Sequence, residues 1–301
     1  MDLQAKLLDP ARRVRLYGTT PPRVGTPPDQ VLAASEKLAA RIAGLPLDAL
    51  VVYDIQDETG RTDTQRPFPF TGTIDPRDYA RLFKVPGIVY KALGNVDEMA
   101  WRAWLDASRG MQFLSIVGRP AAGKYALPLS RAIRIAAAHG ASYTIGGVVI
   151  AERHTGERSE AARLLAKGIE GCRYFISQTV YHAPPTERLL ADYLRDCRGA
   201  GVQPRRIVLT FAPVGRDKTL AFLRWLGVNV LPETEREILG AAQPLAQSIR
   251  ICSDNLRRIL DGKHASSIPL GVNVESVSIH RDEIDASVDL FHALGEVLQG
   301  K

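Results

Sequence analysis

Residues 143–154 (YTIGGVVIAERH), 173–182 (RYFISQTVYH) and 205–213 (RRIVLTFAP) are three apolar runs, each closing on polar residues. A parallel strand covered by helices is buried on both faces, so Val, Ile and Phe follow one another with little alternation. A switch to Glu, His or Gln at its C-terminal end marks where such a strand emerges, which in a barrel enzyme is the working rim. Working outward, similar runs near residues 12–18, 49–54, 87–92, 111–117 and 270–275 join those at 143–150, 173–178 and 206–211 to make eight predicted strands. Helical spacing fills the intervals at 29–44, 76–83, 97–109, 125–139, 157–170, 185–200, 216–226, 233–262 and 281–298. Asn95 and Asp97 suit a helix start, Gly110 and Gly140 suit stops, and Pro184 and Pro185 suit a first helical turn. Strand then helix, repeated eight times, predicts the α/β class and a single (β/α)8 TIM barrel over residues 1–301 as one domain.

Residues 55–75 (IQDETGRTDTQRPFPFTGTID) carry turn chemistry without periodicity. A loop of that length in a compact fold is more often functional than idle, and it would lie on the rim after the second strand. No internal repeat, low-complexity tract or interdomain linker interrupts the pattern.

The 301 residues, 45% hydrophobic and 24% charged, can bury a large core. Cys172, Cys197 and Cys252 are widely spaced without a CxxC pair, which points to neither a disulfide framework nor a thiolate zinc site. The six histidines lack HExxH or paired Cys/His spacing, so no metal is expected. No signal-like N-terminus and no membrane-length apolar run is present, so a soluble cytoplasmic protein without a membrane partner is expected. The net charge of +6 comes from 39 basic residues interleaved with 33 acidic ones, a pattern that argues against a nucleic-acid partner and is compatible with a small polyanionic substrate. Oligomeric state is not legible.

The segments GGVVIAERHTGE (146–157), GCRYFISQTVYH (171–182), RIVLTFAPVG (206–215) and WLGVNVLPE (225–233) resemble the methylenetetrahydrofolate reductase family, and the resemblance runs over roughly residues 140–298. Glu152-Arg153-His154 is similar to the family's Glu-x-His segment, Lys167 and Gly171 match a lysine and glycine of the next helix, and Ser177-Gln178 matches a Thr/Ser-Gln pair. More loosely, residues 17–23 (YGTTPPR) resemble the first-strand motif Phe-Glu-Phe-Phe-Pro-Pro. That register puts Gly18 where the family carries its acidic glutamate, Val117-Gly118-Arg119 where it carries Arg-Gly-Asp, and Gly87 at a third-strand rim histidine of the flavin enzymes.

The resemblance implies reduction of methylenetetrahydrofolate to methyltetrahydrofolate for methionine synthesis, with NADH or NADPH as hydride donor. The lost contacts argue against FAD and for a hydride passed directly from the nicotinamide. Such a step needs recognition of the pterin edge, an acid for the departing ring nitrogen and a slot that stacks donor on acceptor. Gln178 is the first candidate for the pterin, because an amide both donates and accepts; Tyr181 and Glu275 are further folate contacts. Glu152, Asp54 and Glu58 are the candidate catalytic acids, with Asp57 and Glu275 as rivals. Arg119, Lys124, Tyr125, His154 and Lys167 are the candidate cofactor contacts. Against each acid stands an ion-pair role, against Gln178 a bond to a neighbouring loop, and against Tyr181 plain packing. Two other classes compete. One is a folate-binding relative that does not turn its ligand over, or a reductase of another C=N substrate. The other is an ATPase or kinase, suggested by GxxxxGK at residues 118–124 but opposed by Tyr125 in place of a magnesium-binding hydroxyl and by Pro120 in the cradle.

Overall fold

The structure is a computed structural model that describes residues 2–58, 62–118, 127–157 and 159–300. Its strands are β1 (Arg15–Thr19), β2 (Ala49–Val52), β3 (Gly87–Ala92), β4 (Phe113–Val117), β5 (Thr144–Val149), β6 (Tyr174–Thr179), β7 (Arg206–Phe211) and β8 (Leu270–Glu275). Each is parallel to its sequence neighbour and β8 pairs with β1, so the sheet closes into an eight-stranded barrel. All eight strands fall where the apolar runs placed them. β2 and β7 are buried at every residue, the reason these stretches show no alternation.

The helices are α1 (Leu3–Leu8), α2 (Pro28–Ile42), α3 (Pro76–Ala80), α4 (Glu98–Ala107), α5 (Leu129–Ala137), α6 (Glu160–Glu170), α7 (Ala183–Gly199), α8 (Asp217–Trp225), α9 (Pro232–Leu239), α10 (Pro244–Asp261) and α11 (Arg281–Leu298). Asp97 caps α4 through the Ala100 amide and Ser159 caps α6 through Ala162. The single helix predicted over 233–262 is two: α9 stops at Gly240, and Pro244, which has no N–H to give, occupies the first position of α10.

Unforeseen from the sequence, α1 buries Leu3 and Leu7 against Val14, Leu16, Phe113 and Tyr174 at the barrel's base. Arg206 fastens it there. Its guanidinium is buried and donates to Leu7 O (3.0 Å), to Asp9 O and to Leu270 O (3.1 Å), and burial pushes its pKa down to about 10. In the same layer the ring of Tyr174 lies over the neighbouring strand β5, and its hydroxyl donates to Leu114 O of β4 (2.9 Å). That path needs a bare residue at the ladder partner of Tyr174: a Cβ on Gly146 would meet ring atoms at 2.3 Å. Gly146→Ala is therefore expected to destabilise the fold by about 1–3 kcal/mol through overpacking. Urea unfolding should show a lower midpoint at unchanged slope, and an unchanged midpoint would mean Tyr174 has a second rotamer available.

Candidate functional site at the carboxyl-terminal rim

A cavity of about 2150 Å3 opens over the C-terminal strand ends, lined by residues of β1, β3 to β6, β8 and α8 and by Tyr53 and Asp54 just after β2. Single-ligand pockets are usually about 300–1,000 Å3, so there is room for two flat molecules. Among the described residues, Lys and Arg are matched in the lining by equal numbers of Asp and Glu, so the chain's positive excess is not concentrated here. Described residues of the segment 55–75 line this rim, as its composition suggested. Trp225 of α8 donates to Thr64 O (3.1 Å), Phe68 meets Phe222 edge-on at 5.4 Å, and the Arg66 guanidinium stands 5.0 Å from the Trp225 ring. These contacts hold the loop to α8 by cation–π and aromatic attraction.

Gln178 owes its position to a bulge. The β6–β7 register shifts between Ile176 and Thr179, and Ser177 Oγ takes the Thr210 amide (2.9 Å) in place of a ladder partner. A bulge re-aims the side chains around it, and Ser177, Gln178 and Thr179 all line the cavity instead of alternating. Gln178 Nε2 donates to Leu226 O (2.7 Å), which fixes the amide's orientation because a carbonyl can only accept. Its Oε1 is buried without a partner. Gln56, also in the lining, repeats the arrangement: Nε2 donates to Gly118 O (3.1 Å) and Oε1 has no partner. An open buried acceptor costs about 1–3 kcal/mol, which a ligand N–H would recover.

Glu152 lies in the 3-10 turn Ala151–Arg153 after β5 and faces the cavity. Burial raises its pKa, while backbone N–H groups of its own residue and of Asn229, and the Arg153 charge, oppose the rise. Glu275, at the end of β8, is half-buried and lines the cavity, and its pKa is also raised by desolvation, against hydrogen bonds from Tyr53 and Thr179. Asp54 lines the cavity with its carboxylate already committed: Oδ2 accepts the Ala92 amide (2.8 Å) and lies 3.5 Å from Lys91 Nζ. Glu58 lines the outer part, on the loop. Lys167 reaches in from α6, donating to Val148 O (2.7 Å) with Glu160 at 3.8 Å, and burial lowers its pKa.

Two expected contacts do not line the cavity. Tyr181 is buried and its hydroxyl donates to Ala212 O (2.6 Å), which makes it a packing residue. His154 turns to α7, where Nε2 bonds Asp192 (2.8 Å). Gly87 is also misplaced by the sequence register: it opens β3 at the end opposite the rim, where Ala92 stands. Arg119, Lys124 and Tyr125, together with most of the GxxxxGK segment, lie outside the described residues. The cysteines are free and buried. No helix among the described residues is long and apolar enough to cross a membrane, and no group of three or more His, Cys, Asp or Glu among them could hold a metal ion.

Sequence reading missed Tyr53 and Asn273. Asn273, fully buried in β8, donates to the Tyr53 hydroxyl (2.8 Å) and to Thr210 Oγ1 (3.2 Å), and the Tyr53 ring meets Tyr90 edge-on at 4.9 Å. A lone asparagine inside the run LGVNVE was the available signal, since a buried amide demands partners.

Fold and rim together define a (β/α)8 barrel with an open cavity of mixed polar and apolar lining at its C-terminal face. An uncharacterized protein from Clostridium thermocellum, described as binding two copies of 5-methyl-5,6,7,8-tetrahydrofolic acid, superposes with a TM-score of 0.83 at 30% identity over 99% of each chain. This protein belongs to the same family as that Clostridium thermocellum protein. An F420-dependent secondary alcohol dehydrogenase in complex with an F420-acetone adduct aligns over 94% of this chain and 99% of its own at 10% identity with a TM-score of 0.49, a likeness that carries no argument about this chain. No family model and no curated protein matches the sequence.

Proposed function

We propose that the rim cavity is a reduced-folate site. The observation that carries this reading is the buried, unpartnered Oε1 of Gln178 on a rigid strand end, an acceptor suited to the N–H groups of a pterin edge. The family relative's two methyltetrahydrofolate molecules support it, as does a cavity large enough for a second flat ligand beside the first.

A catalytic reading is favoured by a separate observation: two carboxyl groups, Glu152 and Glu275, are held in this cavity with pKa values raised by burial, the condition for donating a proton near neutrality. With the resemblance over residues 140–298, this makes the protein a methylenetetrahydrofolate reductase that takes hydride from NADH or NADPH as a second substrate. The positions tied to a flavin fit it poorly. Lys167 is engaged by Val148 O and Glu160, and Val117 brings an apolar side chain where the resembled family carries arginine, so the proposed hydride transfer runs without FAD.

The test is anaerobic oxidation of NADH and NADPH with methylenetetrahydrofolate, using protein whose visible spectrum is recorded first. Turnover by colourless protein, unchanged by added FAD, is the expected result. A heat of folate binding without NAD(P)H oxidation would make the protein a non-catalytic folate binder, and no heat at all would move the cavity to another substrate.

A further inference from the structure

At Gly18 the chain has no side chain to offer where the family resemblance expects an acid, and the structure shows why a substitution there would not be accommodated in place. A Cβ on Gly18 would lie 2.6 Å from the Tyr53 hydroxyl oxygen and 2.8 Å from its ring. Tyr53 fills that volume, braced by the Tyr90 ring and by the Asn273 amide. Directly across the β1–β8 ladder, Gly18 is paired with Glu275, so one strand to the side a carboxyl group reaches the same end of the barrel. Thr179 Oγ1 donates to Glu275 Oε1 (2.8 Å) and the Tyr53 hydroxyl bonds the same carboxyl group. Thr179 is the residue after Gln178, and all three of Gln178, Thr179 and Glu275 line the same cavity.

The rivals are occupied differently. Asp54 is held by the Ala92 amide and Lys91, and Glu152 has backbone N–H donors and Arg153 favouring its charged form. Around Glu275 the titratable groups are the phenols of Tyr53, just after β2, and Tyr90 on β3. Gly18 of β1 and Thr210 of β7 bring no charge, and His280, on the loop after β8, lines the same cavity. None of the influences resolved on its carboxyl group comes from a cation.

We propose that Glu275 is the proton donor of the reductase reaction, doing from β8 what a first-strand glutamate does in the family that the sequence resembles. The inference rests on the catalytic reading above. The Glu275 carboxyl group gives its proton to the departing ring nitrogen of methylenetetrahydrofolate, and the electron pair of the breaking C–N bond goes to that nitrogen. The resulting iminium carbon accepts hydride from NAD(P)H, which leaves as NAD(P)+, and the carboxylate is reprotonated from solvent. Thr179 and Tyr53 are positioning residues that hold the carboxyl group in place. An acid of this kind works while protonated, so kcat is fully present at low pH and lost as pH rises through the Glu275 pKa.

The test compares the wild type with Glu275→Gln and Glu275→Asp in the full chain, by kcat against pH and by calorimetric binding of 5-methyltetrahydrofolate. Loss of roughly 100-fold or more in kcat is expected for Glu275→Gln, with binding retained as evidence of folding. In Glu275→Asp the high-pH limb of the profile should move. A Glu275→Gln variant retaining more than a tenth of wild-type kcat, or an unmoved limb in Glu275→Asp, overturns the inference and leaves the reductase reading standing. A wild type that binds folate without oxidising NAD(P)H overturns both.

Discussion

Gln178→Ala is expected to weaken binding of 5-methyltetrahydrofolate by about 1–3 kcal/mol, roughly 5- to 150-fold, with little change in thermal unfolding. The amide is divided between two tasks: Nε2 is spent on Leu226 O, while Oε1 is buried with no protein partner. Truncation removes the acceptor that a pterin N–H would use and leaves that N–H facing an apolar surface. Gln178→Leu keeps the side chain's length but not its polar atoms, and should lose as much affinity as alanine. Gln178→Glu keeps acceptors but sets a carboxylate against Leu226 O, so it should lose stability as well as affinity. If all three variants bind like the wild type by titration calorimetry, the bulge in β6 does not serve ligand recognition.

The second large effect lies at the other end of the barrel. Replacing Arg206 with methionine, which keeps much of its aliphatic volume, is expected to destabilise the protein by about 3 kcal/mol, because the carbonyls of Leu7, Asp9 and Leu270 lose their shared donor together. Two of those carbonyls belong to α1 and its C-terminal cap, so the same variant should expose the amides of residues 3–8 to hydrogen exchange well before global unfolding. A loss under about 1 kcal/mol in urea unfolding, with α1 still protected, would show that packing of Leu3 and Leu7 alone holds the base closed.

How much of this could be read from the sequence depended on how local the signal was. Strands such as β2 and β7, buried on both faces, announce themselves as continuous Val, Ile, Leu and Phe, and eight of them could close only one kind of sheet. The six-residue α1 has too few turns to show a period, and its anchor, Arg206, is almost 200 positions away. A family register alone places Gly87 at the rim, because it carries no information about strand neighbours. The ladder with β2 pairs Gly87 with Leu50 and puts it at the bottom.

The site was legible where the chemistry was local and illegible where it was assembled across the barrel. Gln178 and Glu152 stand out as polar residues following apolar runs, and both reach the cavity. Tyr181 and His154 gave the same kind of signal, yet a buried carbonyl claims one and an aspartate on α7 claims the other. The cluster of Glu275, Tyr53, Asn273 and Thr179 joins three strands that are distant in sequence, and no spacing rule connects them. Gly18 was readable as a loss. That the Tyr53 ring fills the space beside it, and that Glu275 is its ladder partner on the adjoining strand, becomes visible only in the closed barrel.

The central claim is that the rim cavity holds a reduced folate, and titration calorimetry of the full chain with 5-methyltetrahydrofolate tests it most directly. The account predicts saturable binding by the wild type that Gln178→Ala weakens as stated above. Absence of binding heat across temperatures, with the protein folded, would contradict it.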